Sequence, residues 1–206
     1  DFCLSRGLGD VYKRQLTGYP TDAEASYAKA IEIAKKSVDT DKFKVYSLSF
    51  MEGEPLSDNL FLISVKLVNK DNQAFSQSYY MTGLEPTALR DVQRTFEAPE
   101  YETTVGIDLT KLDAAQIAAQ IAQAKAMLPE GHSFKSVGSY QIEEDVPAGN
   151  SVFNRNKTFG KQHTSFVVRF TEDGKETESS AGKTSYIYYE AEVTVEPDGT
   201  LSIEEN

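Results

Sequence analysis

Apolar residues recur along this chain at two different periods, and the switches between them mark out its elements. Tyr27, Ile31, Ala34 and Val38 fall on one helical stripe, with Lys29, Lys35 and Lys36 on the opposite side. Thr21 followed by Glu24 predicts a capping box at the start of that helix. The period then drops to two. Tyr46, Leu48 and Phe50 alternate with polar residues, and Phe61, Ile63, Val65 and Leu67 make the next strand. Lys70-Asp71-Asn72-Gln73 is a turn that returns the chain through Phe75 to Met81. Residues 83–99 hold a glycine, two prolines and mixed charge without a period, and read as a connection.

The same succession then recurs. Tyr101, Val105, Ile107 and Leu109 predict a strand over about 100–109. A helix over 113–128 follows, with Asp113 as N-cap and Gln116 three residues on. Its stripe is Ile117, Ile121, Ala124 and Leu128, and Pro129 and Gly131 stop it. Phe134, Tyr140 and Ile142 mark one strand, Phe166, Val168 and Phe170 another, and Glu172-Asp173-Gly174-Lys175 a turn. One long strand is expected from Lys183 to Glu196, with Tyr186, Tyr188, Glu190, Glu192 and Thr194 facing away from Ile187, Tyr189, Ala191, Val193 and Val195. Pro197-Asp198-Gly199 turns it into a short last strand ending at Ile203.

The two helices align at an offset of 90, Tyr27 on Ile117, Ile31 on Ile121, Ala34 on Ala124 and Lys35 on Lys125. Helical periodicity would align any two apolar stripes. It does not explain why Phe43-Lys44 then falls on Phe134-Lys135, one residue later, opening a strand in each half. The expected fold is therefore α+β, with two tandem α-β-β-β units, each helix on one sheet face and the other face wet. The units are 16–99 with its connection and 100–206.

Residues 1–15 stand outside this pattern. They carry neither period, and CLSRGLGDVYKRQ resembles a translated sequencing-adapter tail of the kind found at the ends of metagenomic reading frames. Setting them aside removes three cations (Arg6, Lys13, Arg14) and two anions (Asp1, Asp10), so the charge moves from −11 to −12. It also removes Cys3, the one cysteine, and with it any expected disulfide or thiol chemistry. The native N-terminus then lies outside this sequence. A field so acidic repels phosphate backbones, so nucleic acid is not an expected partner. No run approaches the ~18 apolar residues that a transmembrane helix needs.

Catalytic and cofactor signatures are not legible. His132 and His163 lack a second His or Cys at ligand spacing, so neither a metal nor another cofactor is expected. The turns at Asp71-Asn72 and Glu172-Asp173-Gly174 lack the ligand alternation of a calcium loop. There is no Gly-x-Ser-x-Gly elbow, and Gly182-Lys183-Thr184 leads into a strand where a phosphate loop needs a helix. No catalytic residue is therefore assigned. What stands out is the aperiodic stretch from Asp145 to His163. There Phe153, Arg155, Lys157, Phe159, Lys161 and His163 invert the local charge and interleave cations with aromatics. Tyr186 and Tyr188, beside Arg169, form a second candidate contact surface.

In element order and repeat the chain resembles the PepSY-like and β-lactamase-inhibitor-protein-like group of tandem helix-then-sheet modules, an order that cystatin-like folds share. The resemblance covers residues 20–205 as architecture and rests on no diagnostic motif, so it carries over no functional residue. It implies an extracytoplasmic binding or inhibitory module. Together with the missing catalytic signatures, the expectation is a non-catalytic binding module of a bacterial protein, in the periplasm or at the cell surface, with another protein or a glycan as partner. A structural subunit of a surface assembly and a hydrolase with a dispersed site stay open beside it.

Overall fold

A computed structural model describes residues 18–92, 99–146, 159–180 and 183–205. Among the described residues there are two α-helices, α1 (Glu24–Ser37) and α2 (Ala114–Ala126). The strands of the main sheet are β1 (Phe43–Glu52), β2 (Leu60–Asn69), β3 (Ala74–Tyr80), the two-residue β4 (Arg90–Asp91), β5 (His132–Glu144), β6 (Gln162–Glu172), β9 (Tyr189–Val195) and β10 (Leu201–Glu205). Between β6 and β9, β7 (Thr177–Ser180) and β8 (Lys183–Tyr186) form a separate two-stranded ribbon.

The fold is mixed α+β, with one eight-stranded antiparallel sheet in the order β10-β9-β6-β5-β1-β2-β3-β4. β1 and β5, the strands that follow α1 and α2, pair at its centre. The period-two patterns put their apolar residues on one face, where both helices lie. Tyr27 of α1 is fully buried there, edge-on to Phe50 and to Tyr140 at centroid distances of 5.6 and 5.8 Å. Tyr140 in turn stacks on Phe166. One core thus runs across residues of both halves, including Ile31, Ile117 and Ile121.

Three expectations are corrected. Thr21 does not cap α1. The N-cap is Ala23, without a side-chain bond, and the Thr21 hydroxyl is engaged elsewhere. By contrast, Asp113 does cap α2, accepting from the Ala115 amide at 2.9 Å. No strand spans 100–109, which is a turn, an irregular run and a single 3-10 turn at Leu109–Lys111. The predicted alternation holds only at its end, where Ile107 and Leu109 are buried; Val105, on the same parity, is exposed and Thr104 is buried instead. Side chains take several of its polar groups, with Lys44 Nζ donating to the carbonyls of Tyr101 and Thr104, while the Ile107 amide donates to the Val45 carbonyl outside any ladder. The long strand from Lys183 to Glu196 is broken at Ile187, whose amide donates to Glu176, so β8 leaves the sheet to pair with β7. The 83–99 connection, read as aperiodic, contributes β4.

Candidate functional site

β1 ends at Glu52 and β5 ends at Glu144, and both carboxylates are buried. Because the two strands are antiparallel, the residues lie at opposite ends of the sheet centre.

Glu52 is the hub of a polar cluster. Its Oε2 accepts from Arg169 Nη1 at 2.5 Å and from the Ser136 hydroxyl at 3.0 Å. Its Oε1 accepts from the Asp58 amide at 2.6 Å and from Ser57 Oγ at 3.3 Å. The Glu52 side chain is only 1% exposed, so its charge is tolerable because it is countered and fully bonded. Arg169 spans to the surface, where its Nε donates to Glu190 at 2.7 Å. It lies close over Gly138, where a Cβ would come within 2.8 Å of the guanidinium carbon, so a larger residue there would require Arg169 to shift. The Thr21 hydroxyl ties the lead of α1 into the same end. It donates to Asp58 Oδ1 at 2.6 Å and accepts from the Val137 amide at 2.8 Å. Burial pushes the Asp58 carboxyl above the usual aspartate range, the Thr21 bonds lower it, and the neighbouring Asp22 and Glu52 charges raise it further. Leu56 and Asp58 both hold positive φ in this β1–β2 turn, which borders a cleft of about 630 Å³. Ser136 beside Glu52 is not a nucleophile with its base, since Ser136 is fully buried and Arg169 holds the carboxylate.

At the other end Glu144 pairs with no cation among the described residues. It accepts from the amides of Val105 and Gly106 at 2.7 and 2.6 Å, fastening the connection between the halves onto β5. Next to it, Asp145 Oδ2 lies 2.8 Å from His163 Nε2. The Asp145 backbone pairs with Gly160 and Lys161, closing the base of the 145–163 stretch.

The sequence-derived candidates therefore separate. Phe159, Lys161 and His163 are exposed at the start of β6. Arg169 lies six residues along the same strand, ~20 Å away at the usual rise, with its guanidinium carbon 5.8 Å from the Tyr188 ring centre. Tyr186, 72% exposed, belongs to the β7–β8 ribbon and shares no strand with Tyr188. Phe153, Arg155 and Lys157 lie outside the described residues.

The sheet face opposite the helices carries features that strand patterns alone did not reveal. Ser78, Ser64, Ser49, Gln141, Ser165, Thr194 and Ser202 are register partners in one transverse row across seven strands. On one side runs Tyr80, Leu62, Met51, Ser139 and Val167. On the other runs Ser76, Lys66, Ser47, Glu143 and His163, with Lys66 and Glu143 paired at 3.3 Å. Burial, and after it the Glu143 carboxylate, pushes the Tyr46 hydroxyl up to about 12, which keeps it a neutral donor. Among the described residues no three His, Cys, Asp or Glu side chains converge as a metal site would require, and no helix is long and apolar enough to cross a membrane. No protein-family model, curated protein or solved structure matches the chain.

Proposed function

We propose that the protein is a non-catalytic extracytoplasmic binding module that engages another protein or a glycan through the open face of its sheet. The observation that carries this reading is the row from Ser78 to Ser202. Each member except Gln141 is a small hydroxyl residue that can both donate and accept, repeated at the ~4.8 Å spacing of strands. The flanking Leu62, Met51 and Val167 add apolar contact beside it. A partner bound there would meet a rigid surface that loses little entropy on binding. The charge of −11 weighs against nucleic acid.

The test is equilibrium binding to a panel of bacterial envelope glycans and surface proteins, with the doubly substituted Ser49→Arg/Ser165→Arg chain as the comparison. A partner held at least about tenfold more weakly by the variant supports the reading. A partner held equally by both excludes the face, and chemical turnover of any partner excludes the non-catalytic assignment. Fractionating cells that express the complete native reading frame tests the compartment.

We also infer an internal duplication of a helix-then-strands unit. The supporting features are the aligned sequences, the outward orders β1-β2-β3-β4 and β5-β6-β9-β10, and the buried glutamate that ends each central strand. Superposing residues 20–82 on 110–205 tests this. A fit that needs a shift of one strand would overturn it.

A further inference from the structure

We propose that the β10 edge of the sheet takes up an extended basic segment of a partner protein as an added strand. This goes beyond the open-face reading and does not depend on it. The two edges of the sheet differ. Beyond β3 the chain closes its own edge: the Thr87 and Val92 amides donate to Ser78 and Ala74, Thr87 Oγ1 accepts from the Ser78 amide, and β4 pairs with Phe75 and Ser76. Among the described residues nothing pairs with the outer side of β10, leaving a row of backbone donors and acceptors of the kind that strand addition uses.

Two further observations define the guest. On the helix side, a pocket of about 230 Å³ opens between the end of α2 and this edge. Met127 and Leu128 lie above it, with Phe170, Ala191, Val193 and Ile203 below. It exists because β9 presents the small Ala191 and Val193, whereas β3, next but one to the centre on the other side, presents Phe75, Gln77 and Tyr79. It is smaller than the ~300 Å³ at which ordinary small-molecule pockets begin, and suits an apolar side chain. On the open face the edge is acidic. Glu190 and Glu192 are exposed on β9, Glu204 lies in register with Glu192, and the nearby Arg169 is already bonded to Glu52 and Glu190. An added strand would therefore alternate, with apolar residues toward the pocket and lysine or arginine toward the acidic side.

The test uses a capped peptide of alternating lysine and leucine matched to the length of β10, with calorimetry and amide exchange as readouts. Slowed exchange over residues 201–205 is expected. Affinity should fall about tenfold or more when alternate peptide amides are N-methylated, the loss expected from two or three backbone hydrogen bonds. Glu192→Lys, and Ala191→Phe to fill the pocket, should weaken binding as well. Glu192 is exposed, so its variant remains informative if the pocket variant does not fold. Equal binding of the N-methylated peptide, or of a peptide with the same residues in two blocks, would overturn the proposal. So would loss of binding in Ser49→Arg/Ser165→Arg with Glu192→Lys unaffected, or self-association through β10 in place of peptide uptake.

Discussion

Glu52 and Glu144 end the two central strands, and both are shut away from water, yet the chain stabilises them by different means. Glu52 has a cation, Arg169, and a serine hydroxyl from the other half of the molecule. Among the described residues Glu144 has two backbone amides from the connection and no cation. A buried carboxylate thus needs full hydrogen bonding, and a countercharge is only one way to help supply it. The two solutions also do different work. The first ties β1 to β6 across β5. The second fixes an irregular segment that no ladder holds, where Gly106 adopts φ 91°.

This contrast can be broken by experiment. Arg169→Met should have the largest effect, because it leaves Glu52 buried without its cation. A loss of about 3–5 kcal/mol is expected in urea unfolding. Glu144→Gln puts an amide N–H where one of two N–H donors is received, and should cost about 1–3 kcal/mol. If the glutamine variant is as damaging as the methionine one, the distinction between the two ends is wrong.

The smallest effect sharpens the picture at the Glu52 end. Asp58 has a raised folded pKa, so the folded state holds its proton more tightly than the unfolded state. Its contribution favours folding at low pH and is lost as pH rises from the ordinary aspartate range through the raised value. Asp58→Asn keeps an oxygen to accept from Thr21 and tolerates the positive φ at this position. Its melting temperature relative to the unsubstituted protein should therefore rise between pH 4 and 7. A flat or falling difference would mean that burial does not govern this carboxyl.

Much of the fold was legible in advance because amphipathic periods report burial directly. The stripe of α1, the cap of α2, the β2–β3 hairpin and the return into β10 all follow from residues a few positions apart. Thr21 was misread because a threonine three residues before a glutamate fits a capping box locally. The competing partners, Asp58 and Val137, are 37 and 116 residues away. The 100–109 segment alternates in sequence as a strand would, yet long-range side chains, Glu144 and Lys44, take several of its polar groups. Of the sequence-derived candidates, Arg169 bonds Glu52 and Glu190, and the break at Ile187 leaves Tyr186 in the β7–β8 ribbon while Tyr188 lies outside it.

Composition and period were enough to establish an acidic α+β chain with two helix-and-strand successions, since both depend on local spacing. The fusion of those successions into one sheet, the row of mostly hydroxyl residues across seven strands, one shielded edge and one unpaired among the described residues, and the partners of Glu52 and Glu144 had to await the folded chain. Each depends on strand register or on contacts between distant residues, and local periodicity carries no information about which distant residue stands opposite which.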